Sequence, residues 1–275
     1  MQTIEISSQL IASLKIERNQ NGNKYDFGHA LLVCGKKGMM GAAVLAARGA
    51  LRSGCGLLTV HIPEDERFIL QIACPSAMLS LDKENNFSAQ NLQVSKYDAI
   101  GVGCALGIGK KTSIALKMLM QTFAQPMVID ADALNLLAQN IELQQFIPKK
   151  SILTPHDGEL FRLLGEWKNE EDKLEKIINY TQKFRIYVIS KCAKTKIFTP
   201  EGKVYINTTG NAGIAKAGSG DILTGLITGL LARSYMPESA AILGVFYHGL
   251  AGDSAAKFSG QESMNSEDIT NFIKI

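Results

Sequence analysis

The residues best suited to chemistry lie in NTTGNAGIAKAGSGDILTGLITGLLAR, over 207–233, where a glycine-rich loop ends on an aspartate and runs into an apolar helical pattern. Gly218 and Gly220 lack Cβ atoms, so backbone N–H groups there can approach an anion closely, and the helix that follows adds the positive end of its dipole. Asp221 stands at the mouth of that helix. Two roles compete for it: a cap on the first turn, or a base that takes the proton of a substrate hydroxyl while the loop amides hold a phosphoryl group in transfer. Other phosphate loops fail on spacing. A Walker A pattern around Gly109-Lys110 has Cys104 where its first glycine belongs and Lys111 where Ser or Thr belongs, and a dinucleotide fingerprint is broken by Leu106 and Leu223.

Further candidates follow short apolar runs. In TPHDGEL, Pro155 can begin a helix, and a spacing of three puts His156 and Glu159 on one face. The pair can cap that helix or contact a ligand. A zinc site would need more ligands, and His29, His61 and His248 show no partner spacing. In VIDADALN, Asp130 and Asp132 lie between a strand and a helix, where they can cap or can organise magnesium waters around phosphates. Lys191, in ISKCAKTKIF, ends a buried strand, and its ammonium can reach a phosphate or extend to solvent.

The elements that position these residues read as alternating strands and helices. The runs at 29–35, 57–62, 98–103, 126–130, 151–155 and 186–191 are short, apolar and separated by helical patterns, which predicts a mainly parallel sheet covered on both faces. MMGAAVLAARGALRSG predicts the first crossover helix. TKIFTP and KVYIN flank Glu201-Gly202 as a hairpin, predicting an antiparallel edge. Open sheets of this type bind ligands beyond the carboxyl ends of their strands, where Lys36, Gly103, Asp130, His156 and Lys191 all fall.

The chain has 275 residues, 46% of them hydrophobic and 20% charged, enough for the core of one large α/β domain. A net charge of +3, with scattered Lys and Arg, argues against nucleic acid as partner. The five cysteines follow no disulfide or zinc spacing and predict free thiols. No apolar run has the length of a membrane span and no basic-then-apolar leader opens the chain, so no membrane and a cytoplasmic location are expected.

With these residues in hand, the chain resembles a known family. AGSGD followed by a helix resembles the anion-hole motif of ribokinase-like kinases. Together with NTTGNAGIAKAGSGDILTG, ILTPHDGE, VIDADALN and GMMGAA, it is similar over nearly the whole length to the ADP- or ATP-dependent NAD(P)H-hydrate dehydratases. The resemblance implies a ribokinase-like three-layer α/β/α sandwich over 1–275 as a single domain. It also implies dehydration of the S-epimer of NADH or NADPH hydrate, NADHX or NADPHX, with ADP or ATP as phosphoryl donor. By this resemblance Asp221 is the catalytic base. Hydrate contacts fall on Ala42, Gly103, His156 and Asp221. Adenine-nucleotide contacts fall on Lys191, Cys192, Ala193, Lys194 and Thr195, with Gly218, Ser219 and Gly220 as the anion hole. Glu159 is similar in place to an acidic residue that works near Mg²⁺ through water. The family implies a homotetramer, and an epimerase supplied as a separate protein, since the chain has no room for an epimerase domain.

The chain departs from the family's usual residues at Asn23-Lys24, at Cys34-Gly35-Lys36, at Cys104 beside Gly103, at Ala212, and at Ser219 in place of threonine. Two other functions fit the glycine loop: a vitamin-precursor kinase of the same fold, and a nucleotide sensor without turnover.

Overall fold

The computed structural model describes residues 2–89 and 92–275. Among them, ten strands form one sheet: β1 (Gln2–Glu5), β2 (His29–Val33), β3 (Leu57–Pro63), β4 (Met78–Asp82), β5 (Ala99–Val102), β6 (Met127–Ile129), β7 (Ile152–Leu153), β8 (Tyr187–Ser190), β9 (Lys196–Phe198) and β10 (Lys203–Ile206), in the order β1-β10-β9-β8-β7-β6-β5-β2-β3-β4. Only β9 runs against its neighbours. The hairpin predicted around Glu201-Gly202 is therefore present, but it is not an edge, because β1 pairs in parallel with β10 beyond it. The other edge, β4, also went unread. Both edge strands are short and partly exposed, so neither carries the continuous apolar run that marks a strand buried on two faces.

In the centre the pattern is clear. Ala30, Leu32 and Cys34 face one core, Leu31 and Val33 the other, and all five are fully buried, as a period of two in a sheet covered on both sides requires. The first face is covered by α1 (Ser8–Leu14), α2 (Met40–Arg52), α3 (Arg67–Ala73), α8 (Ser219–Ala232), α9 (Pro237–Ser259) and α10 (Ser266–Phe272). The second is covered by α4 (Lys110–Thr122), α5 (Ala131–Gln139), α6 (Asp157–Leu164) and α7 (Glu170–Phe184). The result is the expected three-layer α/β/α sandwich with a mainly parallel sheet. No described helix is long and apolar enough to cross a membrane, and all five cysteines are free.

Helix α8 is apolar all round and buried from Ile222 to Ala232, as a helix enclosed between a sheet and other helices must be. It lies at backbone distance from α2. A Cβ on Gly225 would sit 1.8 Å from the Ala46 carbonyl oxygen, and one on Gly49 would sit 2.2 Å from that of Ile222. The sheet accommodates it the same way, since a Cβ on Gly101 of β5 would meet Thr228 Oγ1 at 2.2 Å. These contacts fix where the first turn of α8 points, at the carboxyl ends of β6 and β8.

Gly225→Ala therefore should lower stability by about 2–4 kcal/mol, because the new methyl meets backbone that cannot rotate away. Gly41→Ala, on α2 with open space around the new atom, should raise it by about 0.5–1 kcal/mol through helix propensity. Thermal melts of the two variants against the parent check both signs.

Candidate active site

The glycine loop closes onto α8 through Gly218, whose φ of 91° lies in the left-handed region and whose absent Cβ leaves room for Leu45 at 2.3 Å. Gly218 occupies the cap position and no side chain caps the helix, so Asp221, inside the first turn, does not serve as the N-cap. The amides of Gly220 and Asp221 have no partner among the described residues, while Ser219 N–H reaches Lys216 O at 3.3 Å and Ile222 N–H reaches Gly218 O at 3.2 Å. Free first-turn amides at the positive end of a helix make an anion site.

A cavity of about 740 Å³ opens over this turn. Its wall brings together His156, Glu159, Lys191, Cys192, Ala193, Thr195, Gly218, Ser219, Gly220 and Asp221, so most of the residues singled out by sequence share one space. Ala42, Gly103 and Lys194 are not on its wall. Ala42 is partly buried on α2. Gly103 ends β5 with φ 130°, and a Cβ there would overlap the Asp130 carbonyl oxygen at 1.9 Å. The Lys194 carbonyl accepts a bond from the Cys192 thiol at 3.0 Å.

Asp221 is a carboxylate under electrostatic stress. Burial pushes its pKa up to about 6; a contact with the Cys104 thiol opposes the rise, Asp130 adds to it, and Lys191 opposes it. Cys104 in turn contacts Cys34, and its pKa is raised well above the usual thiol value by that contact and by burial, so it stays a protonated donor. Two departures from the family's usual residues, at Cys34 and Cys104, thus meet beside Asp221.

His156 and Glu159 realise the capping option. His156 is the N-cap of α6, which starts at Asp157, two residues later than a helix begun at Pro155 would. Its Nδ1 accepts the Gly158 amide at 3.0 Å, and Glu159 Oε2 accepts the His156 amide at 2.9 Å. This fixes the ring with Nε2 as its outward nitrogen, 3.5 Å from Glu159 Oε1. Burial pushes the Glu159 pKa up.

Neither Asp130 nor Asp132 caps α5 with its side chain. Asp130, 1% exposed, accepts from Lys191 Nζ at 2.9 Å and from Thr224 Oγ1 at 2.7 Å. Asp132 accepts the Gly107 amide at 2.8 Å. Lys191 therefore ends on a carboxylate at the cavity wall.

Sequence reasoning missed His248 and Asp253 on α9. His248 Nε2 lies 3.2 Å from Ser219 Oγ and 3.0 Å from Ser219 O, and burial pushes its pKa down to about 4, so a neutral ring braces the anion loop. Asp253 accepts from the Gly210 amide and from Asn211 Nδ2, both at 2.9 Å, pinning the NTTGN segment. A signal was available in the side-chain amides of that segment, which need partners when partly buried. Among the described residues, no group of three or more His, Cys, Asp or Glu could hold a metal ion by itself.

The strained carboxylate makes a stability prediction. With its folded pKa raised from 3.8 to about 6, Asp221 costs stability when ionised. That cost is complete above pH 6 and absent below its unfolded value, so it is regained as pH falls between them. Asp221→Asn should then be more stable than the parent by about 2–3 kcal/mol at pH 8, with the difference vanishing near pH 4, as denaturant melts at both pH values will register.

Comparison with known proteins identifies the family. The family model described as NAD(P)H-hydrate dehydratase matches residues 30–274. The ADP-dependent (S)-NAD(P)H-hydrate dehydratase of Neisseria meningitidis is 35% identical over 249 residues, covering 88% of this chain and 82% of that one. The chain spans about half the length of the bifunctional NAD(P)H-hydrate repair enzymes it matches, such as that of Moorella thermoacetica, 38% identical, of which it covers 50%. Among solved structures, the ADP/ATP-dependent NAD(P)H-hydrate dehydratase of Bacillus subtilis, co-crystallised with ATP and Mg²⁺, superposes with TM-score 0.87 at 29% identity over 98% of this chain and 96% of that one. A ribokinase-like superfamily protein of Enterococcus faecalis does so with TM-score 0.86 at 27% identity, over 98% and 93%. The chain belongs to the NAD(P)H-hydrate dehydratase family and has its ribokinase-like fold.

Proposed function

We propose that this protein restores NADH and NADPH from the S-epimers of their hydrates, using ADP or ATP as phosphoryl donor. The observation that carries this reading is the placement of the Asp221 carboxylate, with pKa about 6, in the same first turn as the free amides of α8 and in one cavity with Lys191. A base and an anion hole on one turn can act together on a hydroxyl and a phosphoryl group.

In this mechanism Asp221 takes the proton of the hydrate's hydroxyl. The hydroxyl oxygen forms a bond to the terminal phosphorus of the nucleotide as the phosphorus–oxygen bond to the remaining nucleotide breaks. The free amides of Gly220 and Asp221 and the Lys191 ammonium carry the charge that develops on the transferred group. The ring carbon–oxygen bond then breaks, phosphate leaves with the electron pair, and loss of a proton from the neighbouring ring carbon completes the double bond. Phosphate leaves readily where hydroxide would not. His156 presents Nε2 to the cavity as a substrate contact, with Ala42 and Gly103 assigned to the same substrate by family likeness. Residues 191–195, including Cys192, Ala193, Lys194 and Thr195, are assigned to the nucleotide.

Mg²⁺ fits this site only as a partner of the nucleotide phosphates, since it keeps several waters and needs few protein carboxylates. Glu159 is the carboxylate at hand, with Oε2 engaged by the His156 amide and Oε1 left to hold a magnesium-bound water. When bound, the ion neutralises phosphate charge. A homotetramer, a cytoplasmic location and a separate epimerase as pathway partner complete the proposal.

The test mixes the purified protein with NADH hydrate, Mg²⁺ and either ADP or ATP and follows the near-ultraviolet absorbance of reduced nicotinamide. Nucleotide-dependent recovery is expected, with Asp221→Asn slower by about a hundredfold to ten-thousandfold. Nucleotide consumption with an accumulating phosphorylated product would instead make the protein a small-molecule kinase. Because the base must be ionised in the free enzyme, kcat/KM should hold above pH 6 and fall about tenfold per pH unit below it.

A further inference from the structure

Three elements that are distant in sequence meet at the Asp130 carboxylate. It follows β6, its Oδ1 takes the ammonium of Lys191 at the end of β8, and its Oδ2 takes the hydroxyl of Thr224, fully buried in α8. Asp130 stands at the cap position of α5 without capping it, and Ala131 beside it is held at φ 48°, a left-handed conformation that a residue with a Cβ rarely adopts. The backbone is thus bent at some cost to aim this carboxylate into the site. The Lys191 ammonium in turn lies 3.2 Å from where a Cβ on Gly220 would stand, against the anion loop. The Lys191 backbone is fixed as well, its amide donating to Pro155 O at 2.9 Å.

We propose that Asp130 is a positioning residue, which holds the Lys191 ammonium against the Gly220 end of the loop and, through Thr224, locks both to the second turn of α8. The proposal rests on the dehydratase reading above for the reaction it serves. Both oxygens of Asp130 are engaged by this chain's own donors and the residue is 1% exposed, which favours positioning over the holding of magnesium waters. Capping α5 with its side chain, one of the two roles open to it in the sequence, is not the one it fills. Its negative charge also keeps Lys191 protonated: burial pulls the ammonium pKa down, but Asp130 and then Glu159 overcome this, and the net shift is upward. A lysine left to itself there would reach the same phosphate from many rotamers, and catalysis depends on the one that meets the group in flight.

A double-mutant cycle on the full chain separates the roles. Asp130→Asn keeps acceptor and shape but removes the charge; it should lower kcat by about tenfold to a hundredfold with a much smaller change in nucleotide KM, and leave the Mg²⁺ concentration for half-maximal rate unmoved. In a Lys191→Met background the same substitution should cost nothing further, because the group it positions is gone. An unchanged kcat in Asp130→Asn, effects that multiply in the double variant, or a large shift in the Mg²⁺ requirement would each overturn the proposal. An NMR titration of the Lys191 side chain reads the placement without turnover. The ammonium should lose its proton at lower pH in Asp130→Asn than in the parent, and an unmoved titration would contradict the pairing. A parent protein that restores no NADH, with the Lys191 titration shifted as expected, would sink the dehydratase reading and leave the positioning role standing.

Discussion

Everything at the active site depends on where helix α8 begins, and that is set by contacts its glycines permit. Gly225 and Gly49 let α8 and α2 approach until backbone meets backbone, and Gly101 lets the sheet come equally close to Thr228. A helix held at that distance has one axis and one height. Its first turn must therefore emerge beside the ends of β6 and β8, and the free amides, Asp221 and Thr224 are carried there with it. Small residues at these positions set the geometry of the site at a distance, because a displacement of an ångström at the packing surface is the same displacement at the first turn of α8.

Charge in this pocket is arranged to be unequal. Asp130 is buried but satisfied by an ammonium and a hydroxyl. Asp221 is buried with a thiol contact and the Lys191 charge to offset it, and its pKa still rises to about 6. Two carboxylates with one cation between them are pushed apart in basicity, and the less satisfied one is the stronger base. His248, driven neutral by burial, supports the loop without adding a charge that would compete for the anion. The departure at Cys104 fits the same arrangement, since a protonated thiol can donate to a carboxylate without neutralising it.

Local patterns were legible in the sequence, and long-range pairings were not. The central strands were evident from runs such as HALLV, and the anion loop from AGSGD followed by an apolar helix, because each is a statement about neighbours in the chain. Edge strands β1 and β4 carry half-exposed residues and give no such run. Asp130 and Lys191 were each visible as candidates, but their pairing spans 61 residues. No spacing rule reaches that far. His248 and Asp253 lie in a helix buried on most of its surface, where a polar residue has no periodic signature and is recognised only by what it touches. Ala42, Gly103 and Lys194 entered through family likeness, and none lines the cavity around Asp221.

In the proposed mechanism the hydrate's own oxygen is phosphorylated before it leaves. The direct measurement uses hydrate carrying a heavy-oxygen label in its hydroxyl, turned over with unlabelled nucleotide, with mass spectrometry of the released phosphate. Label recovered in phosphate, one atom per NADH restored, is the predicted result. Label recovered in water with unlabelled phosphate would mean that dehydration and nucleotide hydrolysis are separate events, and the assignment of Asp221 and the α8 amides to phosphoryl transfer would fall.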